Sequence, residues 1–131
     1  MIDKNKYGII YTPGFFVEKM LNLIPELHFS NPDLKWLDVG AGNGIFSITL
    51  FNKLDFGLEN IIPDGLERYN HIVKNMIFMC EIYPPHIETL LKLFCKFTDI
   101  KPNIITSDFL TLNSDFILQT YGFNKFNRGQ K

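Results

Sequence analysis

The sequence predicts an α/β fold in which a parallel sheet carries helices on both faces. Three short apolar segments, each finishing at or near an acidic residue, alternate along the chain with segments whose apolar residues recur at helical spacing. This alternation is typical of a parallel sheet, because parallel strands need a crossover and the crossover is usually helical. A glycine-rich run, LDVGAGNG at residues 37–44, follows the first apolar segment directly. In open sheets of this kind, ligands bind beyond the carboxyl ends of the strands.

The composition favours a single domain. A chain of 131 residues that is 46% hydrophobic can form one compact core but not two. The formal net charge of −1 gives no global electrostatic case for binding nucleic acid. The amino terminus lacks a signal-like apolar run, and no segment reaches the roughly 18 to 20 apolar residues of a membrane helix. We therefore expect a cytoplasmic protein that makes no use of a membrane.

The two cysteines, Cys80 and Cys95, match neither a metal-binding spacing nor a disulfide framework. Both lie in apolar runs, so we expect buried free thiols in a reducing compartment. The three histidines, His28, His71 and His86, are scattered without a partner at ligand spacing. We expect them on the surface or at helix edges.

The first predicted element is a helix over residues 12–28. Thr12 can cap its first turn, and Pro13 suits the first helical position, where its missing N–H costs nothing. The residues expected on its buried face recur at helical spacing and are Phe16, Met20, Leu23, Ile24 and Leu27.

The first strand is predicted within LKWLDV, residues 34–39, which is short and apolar. The helix after the glycines is expected to end at Gly57, with an apolar face formed by Phe46, Leu50, Phe51 and Leu54.

After a loop over residues 57–65, an amphipathic helix leads into a second strand that finishes at Glu81. The apolar face of that helix is expected to consist of Leu66, Tyr69, Val73 and Met76. Pro84 and Pro85 then start another helix, and the third strand, PNIITSDF, ends with Ser107-Asp108-Phe109.

The three glycines of the run could serve to bind a ligand or only to form a turn. A bare backbone before a helix start favours a carboxylate or phosphate, whereas glycines after a strand are also common in simple turns. The spacing G-x-G-x-G is not the dinucleotide fingerprint G-x-G-x-x-G, and no phosphate-loop lysine follows. A different adenosine ligand fits the pattern better.

The motifs together carry a family resemblance. LDVGAGNG resembles the first motif of class I S-adenosylmethionine-dependent methyltransferases, whose fold is Rossmann-like. Tyr11-Thr12-Pro13 before a helix resembles the amino-terminal motif of adenine-specific DNA methyltransferases. Glu81 and Ser107-Asp108-Phe109 follow in the order of the second and third motifs, so the resemblance covers about residues 7–112.

The resemblance implies that S-adenosyl-L-methionine is the cofactor. It implies that Glu81 accepts hydrogen bonds from the ribose hydroxyls, that Asp108 and the Phe109 N–H bind the adenine edge, and that Ile82 covers the adenine face. Thr12 and its neighbours would hold the methionine end, and Asp38 would be tied to the loop and the cofactor. The implied cofactor-binding residues are Tyr11, Thr12, Pro13, Asp38, Gly40, Gly42, Gly44, Glu81, Ile82, Asp108 and Phe109.

The catalytic motif of this family, Asn-Pro-Pro-Tyr or a close variant, is absent from the sequence. Tyr83-Pro84-Pro85-His86 follows the second strand directly and has no polar side chain before the prolines, so it is expected to start a helix. Lys125-Phe126-Asn127 resembles the entry to a fourth strand. We expect a truncated or split methyltransferase with unknown catalytic residues, within a single domain of residues 1–131: helix 12–28, core 34–112 and tail 113–131.

Three functions stay open at this point. The chain is the cofactor-binding part of an adenine-N6 DNA methyltransferase, a non-catalytic binding subunit for a catalytic partner, or a vestigial fragment. DNA would be contacted through a missing or separate part. Without a fourth strand the first strand has an exposed edge, which residues 116–126, a partner chain or self-association would cover.

Overall fold

In a computed structural model, the structure describes residues 13–95 and 98–108. The chain begins with helix α1, Gly14–Asn22, and a 3-10 turn, Glu26–Ser30, followed by strand β1, Trp36–Asp38, and helix α2, Ile45–Gly57. Helix α3, Gly65–His71, continues through a π turn, Ile72–Met76, into strand β2, Ile77–Cys80. Helix α4, Pro84–Phe94, and strand β3, Asn103–Ile105, complete the order.

The three strands form one parallel sheet in the order β1-β2-β3, which confirms the predicted α/β class. Trp36 pairs with Ile77, and Cys80 pairs with Ile105. Because all strands run in one direction, their carboxyl ends lie at the same edge of the sheet. Among the described strands, β1 has β2 as its neighbour. Residues 116–126, one of the alternatives for covering the other side of β1, lie outside the described ranges.

The core forms where β2 meets the buried faces of the helices. All four residues of β2 are buried, as expected for the central strand of a parallel sheet. Leu50 and Leu54 of α2 are buried as predicted, as are Tyr69, Val73 and Met76 in and after α3, whereas Leu66 is 54% exposed. Leu66 lies in the first turn of α3, where Asp64 caps the helix by accepting from the Glu67 N–H, and the helix reaches the core only farther along.

The junction between the π turn and β2 is closed by a side chain from β3. Asn103 donates through Nδ2 to the backbone carbonyls of Val73, Lys74 and Ile77 at 3.2, 2.9 and 3.1 Å. Helix ends leave carbonyls without intrahelical donors, and the Asn103 amide supplies donors here. The helix-to-strand transition and β3 are thereby joined.

The predicted helix over residues 12–28 is wrong in length and in its buried face. Helix α1 ends at Asn22, and Pro25 precedes the separate 3-10 turn, because proline disfavours a helical conformation in the residue before it. Val17 and Leu21, one helical turn apart, are buried, and α1 packs on α2. The residues assigned to the buried face that are instead exposed are Phe16, Met20, Leu23 and Leu27.

Both cysteines are free thiols, as predicted. Cys80 is buried in β2, whereas Cys95 is half-buried. Burial, followed by the nearby charge of Asp38, raises the pKa of the Cys80 thiol to about 11. None of the helices within 13–95 and 98–108 has the length and apolar composition that a membrane crossing requires.

Gly57 allows the end of α2 to pack directly against the 3-10 turn. A Cβ atom at this position would overlap the Phe29 carbonyl group, which is backbone and cannot rotate away. We expect Gly57→Ala to lower the free energy of unfolding by about 1 to 3 kcal/mol, because the two segments must separate. Urea denaturation followed by circular dichroism measures the change.

The matched control is Gly65→Ala, whose Cβ would have only the Arg68 Nη2 atom nearby, at 3.8 Å. Because this contact is ordinary and alanine favours a helix, the control should be neutral or stabilising by up to about 1 kcal/mol. Equal losses in the two variants would contradict the assigned contact.

Candidate functional site

The acidic residues at the strand ends lie at one edge of the sheet. Asp38 is the last residue of β1 and pairs with Met79, so Glu81 follows β2 just beyond it. The Glu81 N–H donates to the Ile105 carbonyl of β3 at 2.9 Å. Asp108, which is exposed, follows β3 at the same edge. The three acids therefore follow the carboxyl ends of the three strands, as the sequence predicts.

The glycine run, residues 40–44, folds as a tight turn between β1 and α2. The Ala41 N–H donates to the Cys80 carbonyl at 3.0 Å, and the Gly44 N–H donates to the Ala41 carbonyl at 2.9 Å. Gly42 and Gly44 have φ angles of +56° and +93°, which side chains rarely adopt. These two positions explain why the turn needs glycine for conformational reasons alone.

The three glycines differ in what lies around them. Among the described residues, a Cβ atom at Gly40 would have no atom within 4 Å, and one at Gly42 would meet only the Gly40 carbonyl oxygen at 4.0 Å. At Gly44 it would come within 2.9 Å of Leu93 and 3.0 Å of Leu90, both on α4. Gly44 thus serves close packing, whereas the Cβ positions of Gly40 and Gly42 are not crowded by any other part of the described chain.

Glu81 joins the glycine run to the end of β2. Its Oε1 accepts from the Gly42 N–H at 2.6 Å, and its Oε2 accepts from the N–H groups of Ile82 and Tyr83 at 3.0 and 2.9 Å. The side chain is only 10% exposed, so the backbone donors offset the loss of water around a charged group. The carboxylate is held in one place at the mouth of the turn.

Asp38 supports the turn from the other strand. It accepts from the Ser47 hydroxyl at 2.8 Å and from the Gly40 N–H at 3.4 Å. Burial raises the pKa of Asp38 above its usual value of 3.8; the two hydrogen bonds oppose this shift, and the nearby Glu81 charge adds to it. Asp38 is therefore tied to the turn, as predicted, and two carboxylates lie close together.

His86 departs from the prediction of a surface or helix-edge histidine. It is only 7% exposed and lies in the first turn of α4, with its Nδ1 atom 3.7 Å from Glu81 Oε1. Pro84 and Pro85 occupy the first two positions of this helix and turn the chain back towards the glycine run. The sequence contained a signal for this position, because a helix that starts at Pro84 places its third residue, His86, close to the end of β2.

The remaining predicted site residues fall partly within the structure. Pro13 is exposed and precedes α1. Gly14, the first residue of α1, lies beside Ile45: a Cβ atom built on Gly14 would be 3.8 Å from Ile45 Cδ1. The start of α1 is thus adjacent to the start of α2. Ile82 is half-buried beside Glu81. Tyr11, Thr12 and Phe109 lie outside the described residues.

Comparison with known proteins finds similarity to a methylase. No protein-family profile matches the chain. An uncharacterized adenine-specific methylase of Mycoplasma pneumoniae is 42% identical over 81 residues, which amount to 60% of this chain and 19% of that protein. This chain is similar to part of a methylase. It spans about a fifth of the length of that relative.

The described residues were also compared with the requirements of a metal site. Residues 13–95 and 98–108 contain no group of three His, Cys, Asp or Glu side chains arranged to hold a metal ion. The site offers carboxylate acceptors and open backbone, a combination suited to hydroxyl and amine donors of an organic ligand.

Ionisation of Asp38 should make stability depend on pH in a defined direction. Because its folded-state pKa is raised, its contribution is most favourable when it is protonated and is lost as the pH rises from 3.8 through the folded-state pKa. We expect the stability of Asp38→Asn relative to the wild type, measured as the difference in their free energies of unfolding, to increase as the pH rises above 3.8. Urea denaturation across this range measures the slope.

Asp33→Asn is the matched control, because Asp33 is exposed in a turn away from the site. The pH dependence of Asp38→Asn is compared with that of this control. A relative stability of Asp38→Asn that declines with rising pH would show that the native state does not retain the Asp38 proton.

Proposed function

We propose that this chain binds S-adenosyl-L-methionine and forms the cofactor-binding part of an adenine-specific DNA methyltransferase with a class I, Rossmann-like fold. One observation carries the proposal: the open glycine turn is hydrogen-bonded through Gly42 to Glu81, the acid that follows the neighbouring strand. The similarity to part of an adenine-specific methylase supports the same conclusion.

Glu81 suits the sugar of the cofactor. A carboxylate has about four lone-pair directions, and three are used by the N–H groups of Gly42, Ile82 and Tyr83. One ribose hydroxyl would use the remaining direction on Oε1, and the second would share that oxygen with the Gly42 N–H, which stays bonded to it. Only an acceptor-rich group can receive two adjacent hydroxyl donors, so we assign the ribose to Glu81.

The adenine would extend from Glu81 towards β3. Asp108 follows that strand at the same edge of the sheet and would accept from the adenine amino group. The Phe109 N–H would donate to a ring nitrogen, and Ile82, half-buried next to Glu81, would cover one face of the ring.

The methionine end would lie over the glycine turn. The uncovered backbone at Gly40 and Gly42 leaves room for close approach, and the adjacent start of α2 favours a carboxylate. Gly14 packs near Ile45, which brings the segment before α1 to the same region. We therefore assign Tyr11, Thr12 and Pro13 to the methionine end.

Bound S-adenosyl-L-methionine supplies an activated methyl group, and the residues assigned here hold it without taking part in bond making. The proposal gives these 131 residues only donor binding, because they contain no Asn-Pro-Pro-Tyr or Asp-Pro-Pro-Tyr tetrad. Transfer to the N6 atom of a flipped adenine would need that tetrad from another segment or a partner chain. The same absence favours a non-catalytic binding subunit as the second candidate.

Glu81 should dominate cofactor affinity. We expect the wild-type protein to bind S-adenosylhomocysteine in calorimetry, and Glu81→Ala to bind about 100-fold more weakly, because two hydrogen bonds to a charged acceptor are removed. Glu81→Gln, which keeps the side-chain volume, should fall between them.

The control for this experiment is Glu88→Ala. Glu88 lies on α4, is 69% exposed and pairs with Lys92 on the helix surface, so its loss should leave affinity unchanged. Absence of heat with the wild type would overturn the proposed function. Equal affinity of the Glu81 and Glu88 variants would overturn the role of Glu81.

The isolated chain should not methylate DNA. Incubation of the pure protein with radiolabelled S-adenosyl-L-methionine and adenine-containing duplex DNA should transfer no label, because no group in the sequence matches the catalytic tetrad. Labelling of N6-methyladenine by the wild type, absent in Glu81→Ala, would show that another residue performs that role.

A further inference from the structure

The surroundings of the Glu81 carboxylate contain one group that the proposed function does not use. His86 Nδ1 lies 3.7 Å from Glu81 Oε1, and both side chains are about nine-tenths buried, with 9% and 10% exposure. The same Oε1 accepts from the Gly42 N–H. The imidazole and the glycine turn thus approach one oxygen atom from two parts of the chain.

The position of His86 matters because two carboxylates, Glu81 and Asp38, lie close together beside it. The nearby Asp38 carboxylate carries the same charge as Glu81 when both are ionised, and like charges in a poorly hydrated site repel each other strongly. The backbone N–H groups around Glu81 offset part of this cost. The His86 imidazole places a ring nitrogen 3.7 Å from Oε1, on the side of Glu81 that faces the turn, and this nitrogen can donate to the carboxylate once the two groups approach to hydrogen-bond distance.

The His86 ring is itself held in place. It lies in the first turn of α4 after Pro84 and Pro85, which restrict the backbone at the helix start. The Tyr83 ring meets it edge-on, with 4.8 Å between the ring centroids. A side chain with so little freedom can fix the orientation of its neighbour at low entropic cost.

We propose that His86 is a positioning residue that orients the Glu81 carboxylate for the two adjacent hydroxyls of a ribose. The inference rests on the proposed function, because it assigns His86 to the ribose part of that site. His86 acts through Glu81 and does not touch the methyl group. Its contribution to affinity is therefore present only while Glu81 is present.

Four proteins test this dependence: wild type, His86→Phe, Glu81→Ala and the double variant, each titrated with S-adenosylhomocysteine by calorimetry. Phenylalanine keeps a ring of similar size in the buried position and removes the nitrogen atoms. We expect His86→Phe to weaken binding about tenfold in the wild-type background and less than about twofold in Glu81→Ala, since the two residues act as one unit.

His86→Asn supplies the rescue. Its side-chain amide places a hydrogen-bonding nitrogen near the Nδ1 position, so affinity should return to within about threefold of the wild type. His28→Phe is the matched control, because His28 lies in the 3-10 turn and contacts the Pro25 carbonyl there. Thermal denaturation of every variant separates loss of binding from loss of folding.

The outcomes distinguish the two proposals. No binding by the wild type overturns the proposed function and the role of His86 together. Normal wild-type binding with an unchanged affinity of His86→Phe overturns only the role of His86. An equal loss in both Glu81 backgrounds, or no rescue by His86→Asn in a folded protein, would show that His86 acts on the ligand or the fold independently of Glu81.

Discussion

The site depends on one constraint, the enclosure of the Glu81 carboxylate by backbone N–H groups from two different segments. A nearly buried charge is stable only where donors surround it, and here Gly42 supplies one donor while Ile82 and Tyr83 supply two more. The glycine turn therefore has to close over the end of β2. The same set of hydrogen bonds therefore determines both the path of the glycine turn and the position of Glu81.

The three glycines have different roles in that turn. Gly42 has a backbone conformation that presents its N–H to Glu81, whereas Gly44 lets the start of α2 pack against the leucines of α4. Gly40 has neither role, and no atom of residues 13–95 and 98–108 would lie within 4 Å of a Cβ at this position. A motif that looks uniform in the sequence thus combines an internal hydrogen bond, a close helix contact and an accessible stretch of backbone.

Much of this arrangement follows from local patterns in the sequence. The parallel sheet, the strand-end acids and the end of α2 at Gly57 could be predicted because they depend on periodicity and on residues that interrupt it. The buried face of α1 could not be predicted, because the apolar pattern continues through Pro25 although the helix ends before it. The buried residues of α1 are Val17 and Leu21, and the helix packs on α2. The packing of one helix on another selects between competing apolar faces.

His86 and the bond between Gly42 and Glu81 were missed for a different reason. Both arise between residues that are not neighbours in the sequence, and both depend on the direction in which the chain leaves β2. Periodicity describes which side of an element is apolar, but it contains no information about the angle at which that element meets the next one. Polar contacts in a buried site are set by such angles.

The Asn103 amide gives β3 an influence beyond its own short length. By holding three carbonyls at the end of the π turn, it makes the stability of β3 and of the approach to β2 interdependent. Local opening of β3 would release the residues that lead into β2, so the amino ends of these two strands should open as one cooperative unit. Their amide hydrogens would then exchange with solvent at similar rates.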